Sequence, residues 1–158
     1  MNDKPRRLLF VCTGNICRSP MAQFLAERAA REAGLPLSAA SAGVAAEVDW
    51  GIEPGAIKAL ASRGLKNPSH SARQLDEAML AAADEVYALT RAHRDIIASR
   101  FPASAAKVAV LREAAGLPGP DVADPYGQSD AVYEACAARI EEALKILIRR
   151  SPHAQNAR

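Results

Sequence analysis

Short apolar runs alternate along the chain with stretches of helical spacing, and that alternation predicts its architecture. RLLFVC at 7–12 is continuously apolar at its centre and stops at Gly14, as a buried strand feeding a turn does. From Ser19 the period changes. Met21, Phe24, Leu25 and Arg28 follow helical spacing, with Ser19 expected as N-cap and Pro20 at the first helical position. LSAASAGV at 37–44 predicts a second strand, and 54–63 a helix opened by Pro54 and stopped by Gly64. A helix is expected over Ala72 to Ala83, a third strand over EVYALT at 85–90, a helix over 91–100 halted by Pro102, and a fourth strand over KVAVL at 107–111. Val132, Cys136, Ile140, Leu144 and Leu147 mark one face of a long closing helix. The whole predicts a single α/β domain: a four-stranded, mostly parallel sheet with helices on both faces. Its expected bounds are 6–150, with 1–5 and 151–158 as disordered tails and no internal repeat.

Composition narrows the class without changing the fold. A chain of 158 residues suits one core, since about 70% of the unfolded surface is buried at this size. Its 20 basic and 18 acidic residues are interleaved, which argues against a nucleic-acid or membrane-surface binder. Leu8 to Val11 is too short for a signal-peptide core, and no run approaches the ~18 apolar residues of a membrane span, so a cytoplasmic protein is expected. Cys12, Cys17 and Cys136 show no paired spacing with His70, His93 or His153, so neither a zinc site nor any cofactor is expected, and the thiols should be reduced.

Candidate chemistry sits in VCTGNICRSP, at the carboxyl end of the first strand, where ligands of parallel sheets bind. Thr13, Gly14, Asn15, Ile16 and Cys17 separate Cys12 from Arg18 and run straight into a helix N-terminus. A tight loop of inward N–H groups together with the helix dipole favours a phosphate-sized dianion, and Arg18 can close the cradle with a bidentate fork. A thiol in that field is acidified, so Cys12 is expected as a thiolate nucleophile aimed at phosphorus, with Ser19 donating to the sulfur. One glycine and no lysine exclude a nucleotide loop of the Walker type. Cys17 is either plain packing or a reversible disulfide partner for Cys12, while Cys136 reads as packing. An acid for the leaving group belongs on a mobile loop, and 116–128 is a long connection. Asp124, held extended by Pro125, is the better candidate there than Asp121.

VCTGNICRSP with DPYG far downstream resembles the low-molecular-weight protein tyrosine phosphatases over about residues 6–150. The resemblance implies Cys12 as nucleophile, Arg18 as phosphate ligand, Asp124 as acid, and Asn15, Ser19, Ser41 and His70 as supports of the loop. It also implies a phosphorylated protein as substrate and inorganic phosphate as product. Gly127 stands where those enzymes usually carry a second aromatic after DPY, and Trp50 matches their other wall aromatic only with gaps. HRDIIASRFP, VAVLREAAG and DPYGQSDAVYEA are similar to the protein arginine phosphatase branch, which has threonine where this chain has Ile16. An apolar Ile16, beside Trp50 and Tyr126, suits a phenyl ring, so phosphotyrosine is the expected substrate and phosphoarginine the alternative. Arsenate reductases resemble the chain less, because they need mid-chain resolving cysteines. A non-catalytic phosphate-binding module is disfavoured by the intact Cys12, Arg18 and Asp124.

Overall fold

The computed structural model describes residues 4–150. Four strands, β1 (Arg6–Cys12), β2 (Leu37–Gly43), β3 (Glu85–Ala88) and β4 (Val108–Val110), form a sheet in the order β2-β1-β3-β4. All neighbours are parallel, with Phe10 of β1 between Ser41 of β2 and Tyr87 of β3. Parallel strands require crossover helices, which cover both faces of the sheet. The alternation of β1 divides the core accordingly. Leu8, Phe10 and Cys12 face α1 (Arg18–Ala33), α2 (Pro54–Ala61), α5 (Leu111–Ala114) and α6 (Asp130–Arg149), while Leu9 and Val11 face α3 (Glu77–Ala82) and α4 (Arg91–Arg100). A 3₁₀ turn, Pro102–Lys107, leads into β4. Since β1 is central, its carboxyl end opens between the two helical layers. That is where the candidate loop lies.

Several expectations shift at their boundaries. The helix expected to be capped by Ser19 starts at Arg18, with Cys17 at the N-cap and no side-chain cap, because the Ser19 hydroxyl is taken up elsewhere. Only Glu77–Ala82 of the helix expected over 72–83 is helical, opened by Asp76 accepting from Met79 N at 2.8 Å. Upstream, Gly43 N donates to Arg73 O and Leu75 N to Gly43 O, so long-range pairing with the end of β2 overrides the local helical period. The third and fourth strands are shorter than expected, and Leu111 opens α5 rather than closing β4. On α6, Val132 is exposed and Tyr133 takes the buried position instead. Its ring packs on Gly55, where a Cβ would stand 2.3 Å from a ring carbon, so only glycine lets α2 approach α6 there. Except for Lys4 and Pro5, the expected tails lie outside the described residues.

Candidate active site

The loop between β1 and α1 is turned inside out relative to an ordinary turn. Every carbonyl from Cys12 to Cys17 is claimed from outside: Cys12 O by Val44 N, Thr13 O by Ala45 N, Gly14 O by Glu47 N and Ile16 O by Glu53 N, with Cys17 O by Met21 N. Asn15 O accepts from Nε2 of His70 at 2.7 Å. No acceptor among the described residues takes the N–H groups of Thr13 to Cys17. Backbone N–H groups are rarely left without a partner, so a run of five of them between a strand end and a helix start suits an anion. The start of α1 adds its dipole there.

Asn15 makes that shape possible. It is fully buried with φ +60°, a left-handed conformation that asparagine tolerates better than most residues. Its Oδ1 accepts from Arg73 N at 3.0 Å and its Nδ2 donates to Ser19 Oγ at 2.8 Å. An amide N–H can only donate, so the Ser19 oxygen accepts there and its own proton is free to point away. Cys12 Sγ lies 2.9 Å from that oxygen, against 3.4 Å for Ala42 O. The hydroxyl proton is therefore aimed at the sulfur. Because Asn15 O can only accept, His70 carries a proton on Nε2, and burial lowers the pKa of its imidazole. Gly43 closes the back of the loop, since a Cβ there would meet Thr13 O at 2.4 Å.

Ser41 is not brought to this network. Its hydroxyl donates to Gln23 Oε1 at 2.7 Å on α1, and only its carbonyl is linked to the loop, through the Arg73 side chain at 3.0 Å. β2 presents that hydroxyl to α1 rather than toward Asn15.

Above the loop lies a cleft of about 170 Å³ lined by Cys12, Ile16, Cys17, Arg18, Asp124 and Tyr126, with Ala45, Glu47 and Trp50 on its far side. Trp50 and Tyr126 are half exposed and form its rim. Arg18 is only 5% exposed; Nη1 donates to Val122 O at 2.9 Å, and Nη2 stands 3.7 Å from Asp124 Oδ2. A buried guanidinium with so few acceptors around it favours an anionic ligand. Asp124 Oδ1 accepts from Tyr126 N at 3.1 Å, which leaves Oδ2 on the cleft side, and Gly127 completes the turn at φ +76°. Asp121 instead caps α4 by accepting from Arg91 N at 2.9 Å, so of the two loop aspartates only Asp124 lines the cleft.

One neighbour escaped the sequence reading. His93, at the start of α4, sits 2.9 Å by Nε2 from Thr13 Oγ1, and its Nδ1 is the one buried side-chain polar atom without a partner among the described residues. Burial and the nearby Arg18 charge lower its pKa to about 4. The HRD segment was noticed only as part of a family resemblance, and nothing local tied it to the loop. Cys17 shares the cleft wall, its Sγ 3.6 Å from Tyr133 Oη, and burial pushes its thiol up to about 12. Cys136 lies behind the acid-bearing loop, its Sγ 4.0 Å from Ala123 O, and burial likewise raises it to about 12. All three cysteines are free.

A floor of this kind holds a tetrahedral oxyanion against a sulfur nucleophile, which is the arrangement of a cysteine-dependent phosphatase. Residues 7–156 match the family described as low molecular weight phosphotyrosine protein phosphatase, and the chain belongs to that family. It is a phosphatase hydrolase whose family reaction passes through a phosphocysteine. Among its relatives is the protein-arginine-phosphatase of Bacillus subtilis, 39% identical over 140 residues that span 89% of this chain and 93% of that one. The low molecular weight protein-tyrosine-phosphatase of Streptomyces coelicolor is 36% identical over 145 residues, 87% of this chain and 88% of the relative. In three dimensions the chain matches a crystal structure of a YwlE mutant from Bacillus subtilis with a TM-score of 0.86 at 38% identity, covering 91% of this chain and 97% of that one. It matches the low molecular weight protein tyrosine phosphatase from T. tengcongensis equally well, with a TM-score of 0.86 at 37% identity over 90% and 97% of the two chains. No helix among the described residues is long and apolar enough to cross a membrane.

Proposed function

We propose that the protein hydrolyses phosphotyrosine in protein substrates, with Cys12 as nucleophile, Arg18 as phosphate ligand and Asp124 as acid and then base. The observation that carries the substrate choice is the wall of the cleft: Ile16, Ala45, Trp50 and Tyr126 give it an apolar side, although Glu47 also lines it. A phenyl ring slides into such a slot with little loss of solvation, whereas a guanidinium brings N–H groups that ask for acceptors. In the first step Cys12 Sγ attacks phosphorus, the P–O bond to tyrosine breaks, and Asp124 gives its proton to the departing oxygen. In the second step Asp124 takes a proton from water as the water oxygen bonds to phosphorus, the S–P bond breaks to restore the Cys12 thiolate, and inorganic phosphate leaves. Charge on the transferring group is met by the loop N–H groups and Arg18.

Two observations favour a second reading. The most similar of the relatives named above is a protein-arginine-phosphatase, and Gly127 leaves one side of the slot without an aromatic wall. Turnover of a phosphotyrosine peptide against a phosphoarginine peptide of matched sequence decides between them. On the proposed reading kcat/KM for phosphotyrosine is higher by about tenfold or more, the scale of one pocket contact. A preference for phosphoarginine overturns it.

The same cleft supports a redox role. Oxidation of Cys12 to a sulfenic acid by peroxide, followed by attack of the Cys17 sulfur with loss of water, gives a disulfide that thiols reverse. Peroxide treatment is expected to leave a dithiothreitol-reducible Cys12 to Cys17 link by mass spectrometry; irreversible sulfonic acid at Cys12 alone removes the idea. Three cysteines that form no disulfide are in keeping with a cytoplasmic setting.

A further inference from the structure

The segment that carries Asp124 is bonded in two different ways along its length. From Pro118 to Ala123 its carbonyls are held by side chains from elsewhere in the fold. Arg112 donates from Nη2 to Pro118 O and from Nε to Gly119 O, both at 2.9 Å. Arg139 of α6 donates to Gly119 O at 2.8 Å and to Asp121 O at 3.2 Å. Val122 O takes the Arg18 bond, and Ala123 O faces the Cys136 thiol. From Asp124 onward the bonds are internal. Tyr126 N returns to Asp124 Oδ1, Gln128 N donates to Pro125 O, and Gln128 Nε2 reaches Asp124 O at 3.4 Å.

Arg112 is itself 97% buried, at 3% exposure, and is cross-tied to α6 by Arg139 O at 2.9 Å and Glu142 Oε2 at 3.2 Å. A buried guanidinium is costly unless its donors are satisfied, and here Nε and Nη2 are satisfied by the loop while Nη1 is satisfied by α6. Gly119 serves the same contact. Its φ of +67° suits glycine, and a Cβ there would stand 2.9 Å from Arg139 Nη2.

We propose that Arg112 and Arg139 are positioning residues for the general acid: two guanidinium groups pin the base of the loop to α5 and α6, and the self-contained turn beyond it presents Asp124 to the leaving oxygen. This rests on the reading of Asp124 as the acid. Neither arginine lines the cleft, so neither touches substrate. Their loss acts through the place of Asp124, because a shift of about 1 Å at a catalytic group can cost on the order of a hundredfold.

The discriminating readout is leaving-group dependence in kcat/KM, which covers the steps up to P–O cleavage. Arg139→Met and Arg112→Lys are compared with wild type and Asp124→Ala on phenyl phosphate, a poor leaving group, and 2,4-dinitrophenyl phosphate, a good one. Both arginine variants are expected to lose about tenfold more on phenyl phosphate, a part of the ~10²–10⁴ that acid catalysis supplies. Competitive inhibition by inorganic phosphate should stay within about twofold, since the Cys12 loop is untouched. Equal loss on both esters, or none, in Arg139→Met overturns the clamp, and that variant decides the matter if Arg112→Lys does not fold. If Asp124→Ala itself slows both esters equally, the acid assignment has failed and the clamp falls with it. If Asp124→Ala discriminates and the arginine variants do not, only the clamp has failed.

Discussion

Replacing Cys12 by serine is expected to lower turnover of an aryl phosphate by more than about 10⁴-fold, while inorganic phosphate still binds within a few-fold of wild type. The two readouts separate because they rest on different atoms. Binding depends on the N–H groups of the loop and on Arg18, and their geometry is fixed by carbonyl bonds to Val44, Ala45, Glu47, Glu53 and His70 that the substitution leaves alone. Attack depends on the nucleophile. The Ser19 hydroxyl stands 2.9 Å from the sulfur with its proton directed there, which suits an anionic acceptor and offers no base to a serine hydroxyl. Steady-state turnover of 4-nitrophenyl phosphate beside titration calorimetry with phosphate measures both. Retained turnover in Cys12→Ser would remove the phosphocysteine.

Asp124→Ala is expected to slow phenyl phosphate by roughly 10²–10³-fold in kcat/KM and 2,4-dinitrophenyl phosphate by less than about tenfold. A dinitrophenolate departs without a proton, whereas a phenolate needs one as the P–O bond breaks. Asp124 can supply it because its two oxygens are divided: Oδ1 is held by Tyr126 N, and Oδ2 faces the cleft near Arg18. Asp121 cannot take over, since its carboxylate is engaged at the start of α4. The comparison is made on kcat/KM across a series of substituted phenyl phosphates, where the variant should show a much steeper dependence on the leaving group. An unchanged slope sends the search for the acid elsewhere.

Local patterns carry the first half of this account because they report on neighbours in the chain. Periodicity located all four strands and the long helices, and Cys12, Arg18 and the loop between them are neighbours in sequence as in space. Asp124 was legible for a different reason: an aspartate fixed in extended geometry by a following proline stands out in a long connection. Periodicity misplaced the start of the 72–83 helix because its first residues bond to the end of β2, some thirty positions away. The family resemblance counts Ser41 among the loop supports, yet its hydroxyl is bonded to Gln23 on α1.

By itself, then, the order of residues determined that a cysteine and an arginine would flank one tight turn on a covered parallel sheet, since that needs only a strand, a glycine and a helix start in succession. Only the folded chain decided which groups hold that turn open and which hold the acid above it. Arg73, His93, Arg112 and Arg139 come from four separate segments, and each acts through a hydrogen bond whose direction depends on how the helices pack over β1. A sequence specifies such donors as residue types, but their aim exists only once the layers have closed.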